Sequence, residues 1–189
     1  DKSRLTAFHA RQLAGLGDAS LDERLERVWG RLGRSSDERQ REMESLANAY
    51  REAPLWAYDQ GAGAATFRKL CANCHSAGPG EESIGPRLEG TGAKGIDYIV
   101  ENLLDPNAVI GRDFQATVIA TIDGRVVSGL VIDETESAIT LRLPTSTETI
   151  AKDEIEERAV SENSFMPEGL IEPLNERERI ELLKFLMAL

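Results

Sequence analysis

Two cysteines, two histidines and three methionines are all the sulfur and imidazole groups that 189 residues contain. A structural zinc site takes four ligands. Beyond one short cluster of Cys and His, only His9 and distant carboxylates could complete such a site. The chain also lacks any run near the roughly 18 apolar residues that a membrane span requires. Positive charge is scarce: 22 Lys and Arg face 33 Asp and Glu, for a net charge of −11. That balance opposes a phosphate backbone or an anionic membrane surface, so nucleic acid is not an expected partner. A basic or mixed protein surface is the better match, although an acidic surface also serves plain solubility. No secretion signal opens the chain, which starts Asp1-Lys2-Ser3-Arg4.

Both cysteines and one of the two histidines fall together, as Cys71-Ala72-Asn73-Cys74-His75. This is C-x-x-C-H, the attachment pattern of c-type haem. Two thiols add across two vinyl groups while the following imidazole ligates iron from one face. The spacing serves that chemistry because one helical turn brings both sulfurs to the porphyrin edge and the ring beneath the metal. A thioredoxin-like dithiol would follow a strand in a β-α-β unit, whereas the residues before Cys71, Ala64 to Leu70, read as helix. One covalent haem c through Cys71 and Cys74 is therefore expected, with His75 as axial ligand. Covalent attachment normally occurs outside the bacterial inner membrane. A periplasmic or otherwise exported protein is expected, as a mature product or a piece of a longer one.

Residues 1 to 58 read as helices without strand pattern. Leu5, Phe8, Leu13 and Leu16 suggest one helix. Ser20, with Glu23 as its capping-box partner, suggests the start of a second. Ser36 suggests the start of a third, closed near Pro54. Gly61-Ala62-Gly63 reads as a hinge before the haem helix. From Cys71 the chain is dense in glycine and proline, including Gly78, Pro79, Gly80 and Gly85, as suits a shell whose core is a porphyrin. A short helix spans Asp97 to Leu104 and stops at Asp105-Pro106-Asn107. The period changes at Phe114. Strands follow at 118–122 and 126–132, joined by the turn signal Asp123-Gly124, then at 137–143, 148–150 and 155–160. Asn175, with Glu178 three residues on, caps a last apolar helix.

The other axial position decides what the haem does, since a thioether raises the potential and an open site admits ligands. Met166 stands in Ser164-Phe165-Met166-Pro167-Glu168-Gly169, a loop just before the last helix. There proline stiffens the chain and glycine permits close approach. Met43 and Met187 read as core filler, and His9 is the second candidate for the sixth position. Pro86, in Ile84-Gly85-Pro86-Arg87-Leu88, is similar to the proline that follows the motif in cytochromes c, a likeness that implies a carbonyl accepting the proximal imidazole's hydrogen bond. Leu88 would pack on the macrocycle, and Arg87 could pair with a propionate.

The stretch from about Gly61 to Leu189 resembles the haem-binding domain of Planctomycetes and Verrucomicrobia type, a c-type cytochrome module. The resemblance is carried by C-x-x-C-H, Ile84 to Leu88, Leu104-Asp105-Pro106-Asn107, Asp123 to Gly129, Ile155 to Arg158 and Ser164 to Leu170. It implies a mainly α fold: a cytochrome c-like helical haem domain (59–189) interrupted by a small SH3-like or Sm-like β-barrel (113–160). N-terminal helices (1–58) precede it. It also implies electron transfer through His75 and Met166, as a module serving a redox partner protein and not itself an enzyme. A haem-based sensor or peroxidase-like domain, with an open or His-ligated sixth site, is the alternative. Rapid binding of carbon monoxide by the reduced protein would favour it.

Overall fold

The computed structural model describes residues 7–33, 35–75 and 83–189. Leu5 and the Gly78-Pro79-Gly80 stretch, both named above, lie outside the described residues. Among the described residues six helices occur: α1 (Ala7–Ala14), α2 (Ala19–Val28), α3 (Asp37–Glu52), α4 (Gln60–Leu70), α5 (Ile96–Leu104) and α6 (Glu176–Met187). Strands are β1 (Gly30–Leu32), β2 (Val109–Gly111), β3 (Gln115–Thr121), β4 (Val126–Glu134), β5 (Ala138–Arg142), β6 (Thr147–Ala151) and β7 (Ile155–Ser164).

Local chemistry accounts for most helix boundaries. The Ser36 side chain accepts the Arg39 N–H at the start of α3, and Ala53 with Pro54 beyond it ends that helix. Asn175 and Glu178 form the reciprocal capping box of α6. At α2 the expected cap shifts by two residues. Asp18, not Ser20, accepts from the N–H groups of Ser20 and Leu21. Both residues are good caps, and the carboxylate also favours the positive end of the helix dipole.

The helical core joins α3, α4, α5 and α6 through Ala47, Phe67, Ile99, Val100, Leu103, Leu182, Leu183 and Leu186, all buried. Helices α4 and α6 cross closely. A Cβ at Gly63 would lie 2.0 Å from the Glu181 carbonyl oxygen, and the Phe67 and Phe185 rings meet with centroids 5.2 Å apart. Gly63 is thus the crossing point inside α4, not a hinge before it. Its missing side chain lets a backbone approach that any Cβ would block. Lys184 Nζ donates to the Leu55 and Tyr58 carbonyls, both at 2.6 Å, holding the 55–58 turn against α6.

The fold class departs from the expectation. Helix makes up 44% and strand 24%, and five strands form one antiparallel sheet in the order β6-β5-β4-β3-β7. This is a mixed α/β fold with a sizeable sheet, not a mainly α domain carrying a small barrel. The sheet has its own core of Ile119, Val127, Ile139, Leu141 and Ile150. Strands β4 and β7 run to nine and ten residues. The residues of β7 beyond Val160, such as Ser161 and Glu162, are polar enough to read as loop. Backbone pairing with β3, from Gln115↔Ser164 to Thr121↔Ile155, nevertheless holds them extended. The Asp123-Gly124 turn is present as expected, with Gly124 at φ +84° between β3 and β4.

The N-terminal stretch is not purely helical either. Strand β1 pairs antiparallel with β2, Gly30 opposite Gly111 and Leu32 opposite Val109. Three residues carry no legible period, and this strand exists only because a partner 80 residues away offers its edge.

Candidate functional site: a cavity around the Cys-x-x-Cys-His turn

The C-x-x-C-H residues continue α4 by one turn. Cys71 caps the helix, its N–H donating to the Phe67 carbonyl at 2.8 Å. The N–H groups of Cys74 and His75 both donate to the Cys71 carbonyl, at 3.0 and 2.8 Å. Both cysteines are free thiols, Cys71 buried and Cys74 half-buried. Burial pushes the Cys71 thiol up to about 11, and the neighbouring Cys74 adds to that shift.

His75 is oriented by the segment expected to do so. Its Nδ1 lies 2.9 Å from the Pro86 carbonyl oxygen. A carbonyl only accepts, so Nδ1 carries the proton and Nε2 keeps its lone pair for a metal. Burial lowers the imidazole pKa, partly opposed by that hydrogen bond, which favours the neutral ring that ligation requires. Gly85 makes the approach possible. Its N–H donates to the Cys74 carbonyl at 2.7 Å, and a Cβ there would sit 2.7 Å from His75 Cε1.

These residues border a cavity of about 520 Å³, within the ~300–1,000 Å³ range of small-molecule and cofactor sites. Every candidate from the sequence lines it except His9: Cys71, Cys74, His75, Pro86, Arg87, Leu88 and Met166. His9 is exposed on α1 and is not part of the lining. Met43 and Met187 pack on the helical core and do not reach the cavity. Arg87 is held by Glu89 through Nε at 2.9 Å and a second guanidinium nitrogen at 2.8 Å. It borders the cavity with its charge already paired.

Sequence reasoning missed much of the wall. Ile99, Asn102 and Leu103 of α5 contribute, as do Val109, Ile110 and Gly111 of β2, Phe114 just before β3, and Leu130 of β4. Val28 and Trp29 at the end of α2 contribute from the N-terminal stretch. Trp29 packs on β2, where a Cβ on Gly111 would lie 3.1 Å from its indole. Val109-Ile110-Gly111 carried a faint signal, an apolar pair directly after a helix stop, but no period says what it faces. The five-stranded sheet supplies Phe114 at the entry to β3, Leu130 of β4 and Ser164 at the end of β7 as walls, so it helps build the site and does not merely interrupt it.

The donor set fits covalent haem. Two free thiols and an imidazole with Nε2 available sit on one turn, Met166 lies on the wall, and the rest of the lining is largely aliphatic and aromatic. Among the described residues, no helix is long and apolar enough to cross a membrane. No protein-family model and no curated protein matches the chain.

Proposed function

We propose that the chain is a c-type cytochrome module that carries electrons, with haem bound through Cys71 and Cys74 and with His75 and Met166 as axial ligands. The observation that carries this reading is the convergence of all seven residues on one cavity, with His75 Nδ1 engaged by the Pro86 carbonyl. When bound, the haem supplies a one-electron ferric/ferrous couple.

The chain's own residues do the rest. Cys71 and Cys74 fix the group to the end of α4. Pro86 holds the imidazole tautomer and strengthens its donation. Met166 offers a thioether that favours the reduced state. Leu88, Ile99, Leu103 and Ile110 exclude water, which lowers the local dielectric and favours the less charged oxidation level. The pieces that resemble the Planctomycetes and Verrucomicrobia haem-binding domain support the same reading. The same reading carries with it an exported location and a redox partner protein as donor or acceptor.

The test is the absorption spectrum of ferric and ferrous protein made with haem-attachment machinery, for wild type and Met166→Ala. A weak far-red sulfur-to-iron band, present in wild type and lost in the variant, is expected. A high-spin spectrum indifferent to Met166, with rapid carbon monoxide binding, would replace the carrier by a ligand-binding domain.

A further inference from the structure

We infer that Asn107 is a positioning residue for Met166, clamping the turn that carries the thioether from both sides. The inference rests on the reading of Met166 as an axial ligand. Asn107 follows α5, next to Pro106 of the cavity wall. Its Oδ1 accepts the Ser164 N–H at 2.7 Å, while its Nδ2 donates to Glu168 Oε1. Ser164 lies two residues before Met166 and Glu168 two residues after it, so one side chain grips the turn symmetrically. Inside that grip the Ser164 hydroxyl accepts the Met166 N–H at 3.1 Å. Ser164 is also the last residue of β7 and pairs with Gln115. The turn is therefore anchored to the sheet on one side and to the end of α5 on the other.

The chemistry calls for an amide. Asparagine offers an acceptor and a donor on one rigid group. Aspartate could still accept from Ser164, but it would face the Glu168 carboxylate with no proton to give. Methionine has three rotatable bonds and little intrinsic preference for one position. A ligand of that kind stays in place only if its backbone does, and the local turn has no other side chain reaching it from α5 among the bonds described.

The test uses the haem-loaded protein and two readouts: backbone amide exchange at Ser164 and Met166, and the rate of carbon monoxide binding to the ferrous form. Asn107→Ala and Asn107→Asp should each raise both about tenfold or more, the factor that the loss of a charge-assisted hydrogen bond of about 1.4 kcal/mol gives. Glu168→Gln alone keeps an acceptor for Nδ2 and should leave both near wild type. Combined with Asn107→Asp it supplies the missing donor, and both rates should return to within about threefold of wild type. Wild-type rates in Asn107→Ala and Asn107→Asp would overturn the inference. So would a double variant no better than Asn107→Asp. If wild type itself lacks the far-red band, the ligation reading fails and Asn107 positions no ligand. The exchange rates then still report whether the clamp holds the turn.

Discussion

Replacing Gly85 with alanine tests the link between backbone packing and the proximal ligand. A Cβ there would lie 2.7 Å from His75 Cε1, 2.8 Å from Nδ1 and 2.7 Å from the Cys74 carbonyl oxygen. Carbon atoms in contact rest about 3.5–4.0 Å apart, so the ring must retreat by about 1 Å. That carries the 2.9 Å bond from Nδ1 to the Pro86 carbonyl beyond useful hydrogen-bond length. Overpacking costs about 1–3 kcal/mol and the lost bond about 1 kcal/mol. The smaller unfolded-state entropy of alanine returns about 0.4–1 kcal/mol. The net loss is about 1–4 kcal/mol, which for a chain of this size lowers Tm by about 2–14 °C. The reduction potential should rise as well, because an imidazole without its Nδ1 partner is a weaker donor to ferric iron. Calorimetry of the haem-loaded protein gives the first number and a redox titration the second. Pro86→Ala keeps the backbone carbonyl and should change both much less. A Gly85→Ala protein with Tm within about 1 °C of wild type and an unchanged potential would refute the reasoning.

Gly63→Ala should destabilise despite alanine's helix propensity, worth about 1 kcal/mol. The new Cβ meets the Glu181 carbonyl at 2.0 Å, and a backbone atom cannot step aside without separating α4 from α6. A fall in Tm of several degrees is expected, and an unchanged or raised Tm would place the crossing elsewhere. In the sheet, the Thr121 hydroxyl and then Arg125 hold the Asp123 carboxyl down to about 2, below its usual 3.8. A depressed carboxylate contributes stability that is present above about pH 3.8 and is lost as pH falls toward 2. Nuclear magnetic resonance titration of the carboxyl carbon should place its midpoint in that lower range, and Asp123→Asn should flatten the acid limb of stability between those values. A midpoint near 3.8 would show the turn carboxylate to be unpaired in solution.

Much of this molecule was legible because short-range chemistry decides it. The caps Ser36 and Asn175, the turn Asp123-Gly124 and the C-x-x-C-H turn all act within four residues, and each stands where its pattern placed it. The Pro86 carbonyl on His75 was anticipated from the likeness to cytochromes c, in which a proline carbonyl after the motif accepts the proximal imidazole's hydrogen bond. What escaped the sequence depends on distant pairing. Strand β1 needs the edge of β2, and the polar outer half of β7 needs β3. For that reason the sheet looked smaller than it is and the fold more helical. From sequence alone Gly63 suggests a hinge, because glycine marks both flexible chain and close approach, and only α6 packed on α4 separates the two. In the sequence Asn107 is a helix stop and a piece of the resemblance; its grip on residues 164 and 168 spans a separation that no local pattern encodes.

Covalent attachment of haem through Cys71 and Cys74 is tested by the intact mass of the chain, made with haem-attachment machinery and then unfolded in acid. One haem increment that survives unfolding is expected, with neither Cys71 nor Cys74 open to alkylation, and loss of that increment in the Cys71→Ser, Cys74→Ser protein. An apoprotein mass with both thiols free would contradict it and leave the cavity to some other ligand.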